Sequence, residues 1–305
     1  MVIPAEDGNR APALRGEDLD AVSRETPDHR RIGSRWDAAH ARRAGSQTLR
    51  RVQREVYGDD YFEDVVPNSF YHATLSDLKR VARELRTSPR HILVDLGCGS
   101  GAPAVWVIRE TCARVIGVDL SGVGLEQARE RARAWGVQER ARVGKSDLCA
   151  LGLKDASCDG AMSLDAIDVI PRAADRSAAI REAARVLKPG GRMVLATWEQ
   201  DRLSSTIGPP RDPVSDYRPM LLEAGFEVET YIERPDWKPR DRLVNERILE
   251  AAAELRDELD ADSAEALLRV ARISLDSLES RRRVVAGCRP PDLTPNWLAQ
   301  PRGGE

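Results

Sequence analysis

The chain has 305 residues, 41% of them apolar and 32% charged, and 47 basic against 50 acidic side chains leave a formal charge of −3. A mean hydropathy of −0.46 suits a globular chain that buries a sizeable core, and so balanced a charge supplies no polycationic field for nucleic acid. The five cysteines include no CxxC pair, which argues against a disulfide scaffold or zinc site and fits a reducing, cytoplasmic setting. Neither a membrane-length apolar run of ~18 residues nor a signal-peptide core is expected.

Residues 1–20 mix Pro, Gly and charge without period and read as a disordered tail. Residues 21–88 are expected to form an N-terminal helical cap. Arg, Ala, Glu and Leu dominate its first part, and over 74–86 Leu75, Leu78, Val81, Ala82 and Leu85 share one helical face. Across 89–239 short β-branched runs (91–96, 113–120, 141–146, 159–165, 192–198) alternate with helix-like segments (102–111, 122–136, 175–187). That alternation means βαβ units and a parallel sheet with right-handed crossovers. The run at 141–146 is the least apolar. Beyond Trp198 come a Pro-rich loop, a short helix stopped by Gly225 and an alternating strand over 226–234.

Residues 240–280 read as helix almost throughout. Val244, Ile248, Ala251, Ala252 and Leu255 make one apolar face, and Leu267, Leu268, Ala271, Leu275 and Leu278 make another. So long an insertion before a final strand at 281–290 exceeds ordinary loop length and calls for a purpose. A lid over a site would serve, and so would an edge cover or the interface of a homodimer. Residues 291–305 read as a Pro/Gly tail.

The most specific feature is VDLGCGSGAP at 94–103. Glycines at 97, 99 and 101 permit a sharp turn and close approach of a ligand, and the helix opening after them offers free N–H groups. The spacing alone also satisfies a dinucleotide fingerprint, so two acids are needed to sharpen it. Asp119 ends the second strand, where a carboxylate can accept both ribose hydroxyls, and Asp147 follows the third, where one can receive an adenine amine. Taken singly each acid would serve equally as a strand-end cap. Together with Asp95, at three successive strand ends, they describe a binding edge.

In order, VDLGCGSGAP, VIGVDLS, KSD, SLDAIDVIP and RVLKPGGRMVLATWE resemble the motif series of class I S-adenosylmethionine (SAM) dependent methyltransferases, over roughly residues 60–290. The likeness is greatest to small-molecule and natural-product enzymes of bacterial secondary metabolism, which carry a helical lid between the last two strands. It implies an α/β, Rossmann-like seven-stranded sheet, mostly parallel with the last strand antiparallel, preceded by N-terminal helices. It also implies SAM as cofactor, S-adenosylhomocysteine (SAH) as product and no metal. By position Asp95 with Gly97, Gly99 and Gly101 would hold the methionine portion and Asp119 the ribose. Leu120 would pack on the adenine, whose edge Asp147 and the Leu148 backbone would read. The implied reaction is in-line methyl transfer to an O, N or C nucleophile of a small molecule, without nucleic-acid or membrane partners. A protein of the same fold that catalyses a non-methylating reaction such as cyclisation, or serves as a non-catalytic partner, shares every one of these cofactor residues. An NAD-dependent reductase explains the glycines but neither Asp95 nor Asp147.

On the acceptor side the fourth strand leads into Asp165 and Asp168. Many related enzymes place a His-containing pair here; this chain has Asp168-Val169. Asp168 is therefore the expected catalytic residue, orienting the acceptor, with Asp165 beside it and His72 as the alternative base from the amino-terminal segment. Phe70, Tyr71, Trp198, Glu199 and Trp237 are candidates to line an aromatic acceptor pocket, ordinary packing being the alternative. His29 and His40, on Arg-rich helices, read as solvated, and His91 as structural.

Overall fold

The computed structural model describes residues 26–43, 46–62, 74–201, 210–234, 236–276 and 281–290. The alternating runs form one sheet in the order β3-β2-β1-β4-β5-β7-β6, made of β1 (Ile92–Leu96), β2 (Arg114–Asp119), β3 (Ala141–Lys145), β4 (Cys158–Leu164), β5 (Leu187–Glu199), β6 (Glu227–Glu233) and β7 (Arg281–Cys288). The first five strands pair in parallel, whereas β7 is antiparallel to both β5 and β6, between which it lies. The sequence-based expectation of a mostly parallel sheet with its last strand reversed is met. The polar run at 141–146 is a genuine strand; it sits at the sheet edge with four of its five residues only half-buried, so it needs little apolar content. The order reverses between β1 and β4, and this switch point opens a crevice at their carboxyl ends.

Helices cover both faces, which is why the central strands are largely apolar. On one face α3 (Leu75–Leu85) and α4 (Ala102–Thr111) bury Leu78, Val81, Leu85, Val107 and Ile108 against Leu93, Val115, Met162 and Val194. On the other, α6 (Ala173–Val186) and α7 (Arg218–Glu223) bury Ile180, Ala183 and Leu221 against Val94, Leu96, Ile116 and Leu195. Helix α3 begins with a reciprocal cap: Thr74 Oγ1 accepts from Asp77 N–H and Asp77 Oδ2 accepts from Thr74 N–H at 3.1 Å. Helix α5 (Gly122–Ala134) follows β2.

A third core lies apart from the sheet. Helix α2 (Gln47–Tyr57) packs Leu49, Val52 and Tyr57 against Val244, Ile248, Ala251, Leu255, Leu268 and Ala271 of the 237–276 region, where α8 (Trp237–Glu250), α9 (Ala252–Glu258) and α10 (Ala261–Asp276) lie. The insertion read as helical in the sequence is therefore one half of a helical unit whose other half comes from the amino-terminal segment. Polar contacts repeat the pairing. Glu258 accepts from Ser46 Oγ at 2.9 Å and Thr48 N–H at 3.1 Å, and Arg51 pairs with Glu254 at 2.8 Å. Where the chain enters α8, Arg234 pairs with Asp77 and Arg240 with Asp60 at 2.7 Å. Among the described residues no helix is long and apolar enough to cross a membrane.

Candidate active site

The glycine loop leaves β1 at the switch point. Gly97, Gly99 and Gly101 all have positive φ, at 75°, 49° and 71°, in the left-handed region that a Cβ disfavours. At Gly97 the absent side chain also admits the neighbouring loop, since a Cβ there would come within 2.3 Å of Ala166 Cβ. The turn is held by Val118 O, which accepts from Gly97 N–H at 2.8 Å and Cys98 N–H at 3.0 Å. The loop thus presses on the end of β4 on one side and on β2 on the other.

Three carboxylates stand at this edge as expected. Asp95 is 2% exposed, and its Oδ2 has no hydrogen-bond partner among the described residues. Burial, reinforced by the charge of Asp119, pushes its pKa up to about 8. A buried carboxyl with an orphaned oxygen is costly unless something cationic completes it, so the position suits an ammonium group. Asp119 accepts from Gly99 N–H and Ser121 N–H, each at 2.8 Å, which aims the carboxylate and joins the β1 and β2 loops. Burial raises its pKa and these backbone donors oppose the rise. Asp147 Oδ1 accepts from Cys149 N–H at 2.9 Å. Leu120 and Leu148 are half-buried nearby, Leu148 reaching to 3.8 Å of a Cβ built at Gly97. The structure brings all the cofactor-side residues together, and they fit SAM: an orphaned acid, a glycine cradle and two aimed carboxylates.

Four residues to which sequence reasoning assigned no site role complete this edge, all on one face of α1 (Pro27–Arg43). His29 Nε2 meets Asp147 Oδ2 at 3.0 Å. Gly33 lies on the Leu120 peptide, where a Cβ would come within 2.7 Å of Leu120 O. Asp37 Oδ1 accepts from Ser121 Oγ at 2.7 Å and Val123 N–H at 2.9 Å, at the positive end of α5. His40 is 7% exposed, its ring against Gly99 and Gly124. The solvated reading of His29 and His40 is thus corrected. The available signal was the spacing 29, 33, 37, 40, which is helical and brings small and polar residues to one face.

On the acceptor side Asp165 closes β4 with φ at 55° and its N–H on Ala196 O at 2.9 Å. A left-handed aspartate is uncommon, and it fixes the turn that brings Ala166 against Gly97. Asp168 is 5% exposed in a 3₁₀ turn at Ile167–Val169, 4.0 Å from Arg211, which is 3% exposed. The charge of Asp168 and above all burial push the Tyr217 hydroxyl up to about 12. Trp198 and Trp237 meet edge to face at 4.4 Å between ring centroids and an interplanar angle of 85°, joining the end of β5 to the start of α8. Glu199 is 1% exposed and engaged by Arg283 Nε at 2.7 Å and by the Tyr231 hydroxyl. It ties β5 to β6 and β7. Phe70, Tyr71 and His72 lie outside the described residues.

Comparison with known proteins agrees with this geometry. The methyltransferase domain family matches residues 94–195. The 27-O-demethylrifamycin SV methyltransferase of Amycolatopsis mediterranei is 32% identical over 236 residues, 71% of this chain and 82% of that one. Methyltransferase GfsG of Streptomyces halstedii is 37% identical over 118 residues, 39% of this chain and only 41% of that relative. Among solved structures, the geranyl diphosphate C-methyltransferase of Streptomyces coelicolor, in complex with SAH, superposes with a TM-score of 0.62 at 17% identity, covering 87% of this chain and 98% of that one. A relative aligned over most of its length and a matching sheet lead to one conclusion: the chain belongs to the class I SAM-dependent methyltransferase family, of the small-molecule type.

Proposed function

We propose that this protein moves a methyl group from SAM to an O, N or C nucleophile of a small molecule, of natural-product type, by in-line displacement. The observation that carries the reading is Asp95, a buried carboxyl with an orphaned oxygen at the switch point of the sheet, two residues before the glycine loop begins. When bound, SAM supplies a methyl group made electrophilic by its sulfonium. The chain's own work is to hold and exclude. Asp95 would receive the amino-acid ammonium, Asp119 the ribose hydroxyls and Asp147 the adenine edge, while Leu120 and Leu148 pack on the base. The Gly97 loop is locked against Ala166, so Asp165 stands at the border between cofactor and acceptor halves.

The acceptor would lie between the ends of β4 and β5 and the helical unit of α2 with α8–α10, which would act as the lid. Trp237 supports that placing. It is 8% exposed, it meets Trp198 edge to face, and its Nε1–H has no partner among the described residues, so an acceptor oxygen would complete it. Excluding water and aligning the reactants at roughly 3–3.5 Å can supply about 7–11 kcal/mol of barrier lowering. Asp168, held 4.0 Å from Arg211, would orient the acceptor.

The test uses methyl-labelled SAM with a panel of acceptors beginning with 27-O-demethylrifamycin SV, the acceptor that one relative's name specifies. Label in the small-molecule product with one SAH formed per turnover supports methyl transfer. Conversion of an acceptor without SAH would instead establish the non-methylating reading.

A further inference from the structure

Helix α1 touches every loop of the cofactor edge: Gly99 after β1, Leu120 and Ser121 after β2, and Asp147 after β3. Most of these contacts are ordinary seating. The one at Asp147 is different, because it ends on the carboxylate that the proposed function gives to the adenine edge. We propose that His29 is a positioning residue of the cofactor site, which holds the Asp147 carboxylate ready to accept the exocyclic amine of the adenine. This inference rests on the SAM-binding reading of the edge.

Both ends of the imidazole are fixed. Thr26 N–H donates to His29 Nδ1 at 3.4 Å, and Thr26 Oγ1 accepts from His29 N–H at 3.2 Å. This is the reciprocal helix cap in which the third helical residue normally supplies a Glu or Gln, with a histidine in that place. Because Nδ1 is an acceptor there, the proton sits on Nε2, which donates to Asp147 Oδ2 at 3.0 Å. The other carboxylate oxygen is already held by Cys149 N–H. Asp147 is thereby oriented from both sides, yet 27% of its side chain stays exposed, and Oδ2 keeps a second lone pair for one more donor. Gly33 lets the helix come close enough for this reach: any side chain there would strike the Leu120 carbonyl.

The experiment compares two probes by calorimetric titration, SAH and its deaminated analogue S-inosylhomocysteine, which has a carbonyl where adenine has the amine. Wild-type protein should favour SAH, because the analogue turns an oxygen toward a carboxylate. In His29→Ala, SAH affinity should fall by about tenfold, roughly the worth of one charged hydrogen bond. Preference for SAH over the analogue should shrink with it, and His29→Gln, which can still donate, should recover part of both. An equal loss for both probes would make α1 a packing element only and overturn the assignment. Tighter SAH binding in His29→Ala would also overturn it, since His29 would then be competing with adenine for Asp147. If the wild type binds SAH but not with preference over the analogue, Asp147 does not read the amine and the assignment falls. If the wild type binds neither, the SAM reading itself falls.

Discussion

Asp95 makes a quantitative prediction because its two surroundings differ so much. Without a cofactor its carboxyl titrates at about 8, for want of solvent and because Asp119 is close. With an ammonium group against it, it should be ionised throughout the neutral range. At pH 7 the free protein would hold the proton in about nine molecules of ten, so binding should expel close to one proton per SAH. Calorimetric titrations in buffers of different ionisation enthalpy read this number directly as the slope of observed enthalpy. The affinity itself should rise by up to tenfold per pH unit between about pH 6 and 8. Stability of the free protein should move the other way. A raised carboxyl pKa contributes stability that is complete below the ordinary value near 4 and lost as pH climbs to about 8, at a slope near 1.4 kcal/mol per pH unit. The SAH-induced rise in Tm should therefore be larger at pH 8 than at pH 6. Asp95→Asn should abolish both the proton release and the pH slope of binding. An observed enthalpy at pH 7 that is the same in every buffer would refute the reasoning, because no proton would then have left.

Three further single substitutions and one double variant probe the rest of the site. Asp119→Ala removes the partner of two ribose hydroxyls, each hydrogen bond being worth about 1.5–3 kcal/mol, so SAM affinity should fall well over tenfold with the fold retained; unchanged affinity by calorimetry would remove Asp119 from the ribose. Gly97→Ala places a Cβ 2.3 Å from Ala166 Cβ at a φ of 75°, and should lower Tm and weaken SAH binding at least tenfold, a result that thermal melts and titration would contradict if both stayed at wild-type values. Asp168→Asn removes the carboxylate charge 4.0 Å from the buried Arg211 and should lower stability in chemical unfolding by up to about 3 kcal/mol, with SAH affinity unchanged. Pairing Asp168→Leu with Arg211→Met should recover stability, and if it also recovered kcat/KM with the acceptor, Asp168 would have no part in orienting it.

The sheet and the cofactor loop were legible because their physics is local. Positive-φ glycines, strand-end acids and the period of buried strands each leave a mark within ten residues, and even the weak run of β3 needed only an edge position to explain its polarity. What escaped depends on contacts between distant segments. His29 and His40 sit among arginines, of which Arg30 and Arg31 are exposed, and that composition hides the face that meets the strand-end loops. Glu199 looked like a pocket acid because it follows Trp198 at a strand end. Only the cross-strand neighbours, Arg283 and Tyr231, show that its charge is spent on joining β5, β6 and β7. The apolar faces of 240–280 were visible, whereas α2 as their partner was not, since no periodicity in one segment names the other.

That shared third core constrains how the protein comes into being. Leu49 and Leu268 pack in one cluster although nearly the whole Rossmann-like core lies between them in sequence. During synthesis α2 emerges early, with Leu49, Val52 and Tyr57 left uncovered until α8 and α10 follow, so it must wait while the sheet assembles. Closing so long a loop is entropically cheap per added residue but slow, and the waiting apolar face is open to wrong partners meanwhile. Removing residues 240–280 would accordingly do more than open the acceptor side. It would strand α2 with a permanently exposed face, and such a truncated chain should aggregate during expression, whereas point substitutions within the insertion should leave it soluble.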